Sequence, residues 1–324
     1  MNKRKWIIDT DTGSDDAVAI LLALLEGSVD VLALTTVSGN VPMEQAALNC
    51  LQTMEVTGVI TPVYKGADRP LMRKPVHAQN VHGNDGMGDC GLIHPSHTAV
   101  PGVQACDAII DLVKKYPHEV EIVAIGPATN IALAIMKDPE AMKLTKAIWV
   151  MGTNGFGPGN TTPVSEFNVY SDAEAYKVML SSGIPVIIGG MDICVVENAP
   201  WSQEDMDELM ASGKPVAKYA VECNAKLADF FEKMNGHRYV GLPDAVAVAG
   251  ALWGDVRKLV PCMAYVCTSE PSTYGQVILY DGRYLADLHG FEDHPYGLKE
   301  PNCMVMTDFN ALLYKQRLKE VLTK

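Results

Sequence analysis

Apolar positions along the chain fall into short β-branched runs that alternate with stretches of helical spacing. Trp6, Ile7 and Ile8 form a buried strand that runs straight into Asp9-Thr10-Asp11-Thr12-Gly13-Ser14-Asp15-Asp16. An apolar helix over 17–25 follows, and 29–37 is a second strand ending in Ser38-Gly39-Asn40. The spacing then predicts a helix over 43–56, a short strand over 62–64 and a long polar loop over 65–98 holding His77, His82, His94 and His97. A loop of that length in a compact chain is commonly functional or disordered. Its centre, His82-Gly83-Asn84-Asp85-Gly86-Met87-Gly88-Asp89, is rich enough in glycine to fold over a ligand, and reads equally well as solvated surface. The alternation continues with a helix over 105–116, a strand over 120–125, and a helix opened by Ala128-Thr129-Asn130 with Pro127 near its start. Next come a strand over 147–151, a glycine-rich loop over 152–165, a helix over 172–181 and a strand over 185–188.

Strands and helices alternating in this way predict an α/β fold with a mostly parallel central sheet and helices on both faces, a Rossmann-like arrangement. In such sheets ligands bind beyond the carboxyl ends of the strands. Asp11, Asn40, the Ile125 carbonyl, the loop bearing Asn160, Glu166 and Asn168, and Asp192 all come off those ends and are expected to share one crevice. The last third is less regular. Helices are expected over 203–209, 216–234, 245–253 and 309–322, with strands over 263–267 and 276–280 added at an edge. Asp244 stands where an N-cap would, and capping is the simplest reading of it from position alone. No linker divides the chain, so a single domain over 1–324 is expected.

Composition narrows the partners. A net charge of −13 repels nucleic acid and anionic membrane surfaces and favours a small neutral or cationic ligand. Eight scattered cysteines without a Cys-x-x-Cys pair read as reduced thiols and point to a cytoplasmic protein. No stretch has the length of a membrane span or the pattern of a signal peptide. Against this background the four carboxylates between Asp9 and Asp16 stand out. Ser14 as an N-cap with Asp15 and Asp16 in the first helical turn would account for two of them, since carboxylates favour the positive end of a helix dipole. Asp9 and Asp11 would still repel each other and that pair, so a divalent cation with oxygen ligands explains the motif better.

Asp9-Thr10-Asp11-Thr12-Gly13-Ser14-Asp15-Asp16-Ala17 resembles the Asp-x-Asp-x-Gly-x-Asp-Asp-Ala signature of the nucleoside hydrolases of the inosine-uridine preferring type. Val37-Ser38-Gly39-Asn40, His82-Gly83, Gly126-Pro127-Ala128-Thr129-Asn130, Met151-Gly152, Asn160 and Glu166-Phe167-Asn168 follow in the family's order and at similar spacing, covering residues 5 to about 260. The resemblance implies the nucleoside hydrolase fold and a Ca²⁺ ion held by Asp11, Asp16, the Ile125 carbonyl and Asp244. It also implies ribose binding by Asp15, Asn40, Asn160, Glu166 and Asn168, with Met151 packed against the sugar. His82 is a candidate for lining the same site. The implied reaction is hydrolysis of a ribonucleoside to ribose and free base, with a calcium-bound water activated by Asp11 and an oxocarbenium-like transition state. A homodimer or homotetramer is implied as well.

One departure concerns the leaving group. The family's common His-Asp pair reads Pro243-Asp244 here, and proline has no proton to donate. His237, a few residues upstream, is a candidate substitute, with surface exposure its plainer reading; Trp201 and Trp253 are candidate stackers for the base, Trp253 reading more readily as core. Two other classes compete. Asp9-Thr10-Asp11-Thr12 also looks like the Asp-x-Asp-x-Thr motif of haloacid-dehalogenase-like phosphatases, with Asp9 as nucleophile and Mg²⁺ bound, and Pro243 motivates a ribose- or nucleoside-binding protein without turnover.

Overall fold

The computed structural model describes residues 3–91, 94–281 and 300–324, so residues 92–93 of the expected long loop lie outside the described residues. Eleven strands are described: β1 Arg4–Thr10, β2 Val29–Thr36, β3 Val63–Lys65, β4 Val120–Ala124, β5 Ala147–Met151, β6 Val186–Gly189, β7 Trp201–Ser202, β8 Tyr239–Val240, β9 Lys258–Val266, β10 Val277–Tyr280 and β11 Cys303–Thr307. Nine of them form one sheet in the order β10-β9-β11-β6-β5-β4-β1-β2-β3, while β7 and β8 pair separately. From β11 through β3 every pairing is parallel, and β9 and β10 add an antiparallel edge. The α/β expectation is therefore met.

β1 lies inside the sheet, between β2 and β4, and its side chains alternate between two apolar layers. Trp6 and Ile8 pack with the helices Ser14–Glu26 and Pro243–Leu252, whereas Ile7 faces Ile109, Ile131 and Ile148 on the other side. Both helices are apolar nearly all round, as expected for helices that pack against each other as well as the sheet.

Several local expectations change. The helix expected over 216–234 is two, Pro215–Glu222 and Ala225–Asn235, the second with Asn224 at its N-cap. Asn224 is fully buried and its amide donates to the carbonyls of Ser14 and Ala220, so one polar side chain makes the break and ties it to the first helix. The apolar pattern does not predict β11, which supplies the strand that joins β6 to the antiparallel edge. Ser14 is the first residue of its helix rather than the cap; Gly13 is the N-cap, and its N–H donates to Asp16 Oδ2 at 2.8 Å. Asp244 likewise sits inside its helix, after Pro243 at the first position, and does not cap it.

Candidate functional site

Because β1, β2, β4, β5 and β6 run parallel, the residues that follow them emerge along one edge of the sheet. A cavity of 680 Å³ opens there, with Asp15, Asn40, Ile125, Met151, Asn168 and Asp244 in its wall. His82, Asn160 and Glu166 also line it.

Its floor is a concentration of buried negative charge. Carboxylate oxygens of Asp15, Asp16 and Asp244 lie within 4.8 Å of one another, and all three residues are buried. Asp16 is the most tightly held: Thr10 Oγ1 donates to it at 2.6 Å, and the Gly13 N–H and the Asn40 amide reach its second oxygen. Asp11 stands beside this group rather than within it. Its Oδ2 accepts the Asn40 N–H at 2.6 Å, while Oδ1 is buried without a partner among the described residues, as is Oδ1 of Asp15. Gly39 is required for this approach, since a Cβ there would stand 2.0 Å from Asp11 Oδ2.

Burial followed by mutual repulsion pushes these carboxyls up: Asp16 to about 7, and Asp11 and Asp244 well above the usual carboxylate range. Bare oxygens and clustered acids, with no ammonium or guanidinium group in the cluster among the described residues, are what a divalent cation with hard oxygen ligands satisfies, and the donor set fits one. The Ile125 carbonyl accepts the Asn168 amide at 2.9 Å and keeps its second lone pair.

Above the floor, Glu166 caps the short helix Phe167–Ser171 by accepting from the N–H groups of Asn168 and Val169. Burial nevertheless raises its carboxyl to about 7. Asn160 is exposed and accepts the Phe167 N–H at 2.9 Å, which closes the glycine-rich loop back onto Glu166. Met151 is buried against the Asn168 amide. His82 ends the four-residue helix Gln79–His82; its Nδ1 lies 2.9 Å from Ser14 Oγ and 3.7 Å from Asp15 Oδ1, and burial lowers its pKa despite the neighbouring carboxylate.

A model of the inosine-uridine preferring nucleoside hydrolase family matches residues 6–316. The chain belongs to that family. It is an enzyme that hydrolyses N-glycosyl bonds. The hydrolase is 34% identical over 313 residues to the pyrimidine-specific ribonucleoside hydrolase RihA of Citrobacter koseri, covering 94% of this chain and 93% of that one. It is 43% identical over 191 residues to an uncharacterized protein of Schizosaccharomyces pombe, where the match spans 58% of this chain and 61% of the relative's length. Among solved structures it superposes on the plant nucleoside hydrolase PpNRh1 with a TM-score of 0.91 at 29% identity, covering 99% of both chains.

Three site residues expected from the sequence stand elsewhere. Asp192 does not line the cavity; it accepts the Phe156 N–H at 3.0 Å and lies against Gly155, bracing the glycine-rich loop from behind. Trp201 is fully buried in the core, and Trp253 meets Glu26 and Arg317 away from the cavity, so neither tryptophan stacks on a ligand. The aromatic wall instead comes from Phe167, Phe230, Phe231 and Tyr239, with Phe231 stacked on Tyr239 at 4.5 Å and His237 on Tyr239 at 4.9 Å. Phe230 and Phe231 sit in a helix whose apolar spacing reads as core packing, which hides them. The phosphatase reading fails too. Asp9 is fully buried and holds Thr35 and Asn130, so it cannot attack a substrate in the cavity.

Proposed function

We propose that the hydrolase cleaves ribonucleosides to ribose and free base in this cavity, with Ca²⁺ as its resident cation. The observation that carries this reading is the bare Oδ1 of Asp11 beside the buried Asp15–Asp16–Asp244 cluster. Asp11, Asp16, Asp244 and the Ile125 carbonyl would hold the ion, which when bound supplies positive charge that orients a water and the ribose hydroxyls and favours ionised carboxylates. Asp15 belongs to the same cluster and faces both the ion's position and the sugar's.

The chain's own groups then divide the work. Asp11 takes the proton from the attacking water through Oδ1, its other oxygen being fixed by Asn40. Asp15, Asn40, Asn160, Glu166 and Asn168 bind ribose hydroxyls, for which carboxylates and amides offer directed acceptors and donors, and Met151 packs against the sugar. The acidic surround favours the positive charge that develops on the ribose ring as the bond breaks. Phe231 and Tyr239 offer a flat face to the departing base. Pro243 lines the cavity and donates nothing, which leaves His82 as the buried side chain best placed to protonate the base.

Incubating the protein with purine and pyrimidine ribonucleosides and measuring free ribose tests the reading. Ribose release from at least one is expected. Calorimetric binding without any release would favour the reading as a binding protein that has lost turnover.

A further inference from the structure

Ser14 occupies an unnamed position of the acidic signature, yet it is fully buried and its Oγ stands 2.9 Å from His82 Nδ1. A buried hydroxyl proton needs an acceptor. Among the described residues His82 Nδ1 is the one hydrogen-bond partner of Ser14 Oγ, and the Ser14 carbonyl is itself occupied by the Asn224 amide at 2.9 Å. We propose that Ser14 is a positioning residue that donates its hydroxyl proton to His82 Nδ1 and so fixes the neutral ring as the tautomer with its proton on Nε2.

The assignment rests on the function proposed above and deepens it. A neutral imidazole carries one N–H and one lone pair, and the partner of one nitrogen decides the state of the other. With Nδ1 accepting from Ser14, the remaining N–H belongs to Nε2 of a side chain that lines the cavity. A donor is then available to the leaving base although position 243 has none. Asn224 makes the arrangement rigid, because its amide holds Ser14 by the carbonyl while its helix packs behind. Proton transfer from Nε2 to the base nitrogen accompanies cleavage of the glycosidic bond, and the proton is regained from water after the base leaves.

The imidazole region of a ¹H–¹⁵N correlation spectrum of the unmodified protein tests the tautomer without any substitution. A protonated Nε2 with a bare Nδ1 at His82 is expected; a proton on Nδ1 overturns the proposal. Kinetics supply the second readout. Ser14→Ala should lower kcat on a natural ribonucleoside by about 10- to 10²-fold, a part of what a general acid contributes. The same variant should keep p-nitrophenyl riboside hydrolysis within about 3-fold, since that leaving group needs no acid. Ser14→Thr, which retains the hydroxyl, should recover the natural substrate. Equal losses on both substrates, or no loss on either, overturn the positioning role. Failure of the unmodified protein to release ribose from any of these compounds would instead refute the underlying function.

Discussion

The backbone N–H of Asn40 donates to Oδ2 of Asp11 at 2.6 Å, so the chain leaving the second strand immobilises the carboxylate that leaves the first. The Asn40 side chain meanwhile reaches Asp16 Oδ2 at 3.1 Å. One residue therefore sets the spacing of two acids that repel each other, and it leaves a single oxygen of Asp11 free. Gly39 permits the contact by having no side chain.

Replacing Asp11 by Asn should cut kcat by at least about 10²-fold, the low end for loss of a general base. The fold should persist, because the amide keeps the Asn40 contact and removes a charge that burial disfavours. In metal-free buffer the variant should melt no lower than the parent. Steady-state rates and thermal melts check both statements; a variant within a few-fold of the parent would remove Asp11 from its proposed role.

Exhaustive chelation should abolish activity and lower Tm, and Ca²⁺ should restore both. A ligand that binds only the folded state adds about 2.7 kcal/mol at a hundredfold excess over its Kd. Three clustered carboxylates with raised pKa values give the apo protein a second signature, a proton uptake that calcium reverses. Melting curves and elemental analysis of the dialysed protein decide the matter, with an unchanged Tm counting against a resident ion.

His82 and His237 separate by substrate. His82→Ala should lose about 10²-fold or more on natural ribonucleosides while retaining p-nitrophenyl riboside, as expected for loss of a general acid. His237 is exposed and stacked on Tyr239, so His237→Ala should change both substrates alike and by a few-fold only. If His237→Ala shows the selective loss instead, the donor is the loop histidine.

Much of the site is legible in the sequence because it depends on topology. Strand–helix alternation with a polar residue after each strand puts Asp11, Asn40, Ile125 and Glu166 at one sheet edge. What stays hidden depends on side-chain direction in the irregular third. Phe230 and Phe231 follow helical spacing as any core residues do, and only the break at Asn224 turns that helix toward the cavity. Trp201 resembles a stacker because tryptophan often is one, yet its two-residue strand pairs with Val240 and buries the ring. β11 escapes the pattern because Cys303–Thr307 is five residues long and reads as part of the approach to the last helix.

Acid stability should depend on Asp205. It caps its helix with Ser202 and accepts Lys315 at 2.6 Å and Lys319 at 2.7 Å, and although burial alone would raise its carboxyl, these partners hold it at about 2. A lowered folded pKa means stabilisation that is complete above the unfolded value near 4 and fades as pH falls toward 2. Asp205→Asn should therefore cost about 1–2 kcal/mol at pH 7 and roughly half that at pH 3. Urea unfolding of parent and variant at the two pH values checks this; a difference that grows in acid would contradict it.

The acids of the floor come from opposite ends of the sequence, Asp16 in the first helix after β1 and Asp244 in a helix that packs against it. During synthesis the early carboxylates leave the ribosome long before their distant partner exists, and domains generally mature as units. The cluster is thus finished only when some three-quarters of the polypeptide has been made. Calcium capture by nascent chains of increasing length would time that event, with binding absent until the segment beyond Asp244 can dock.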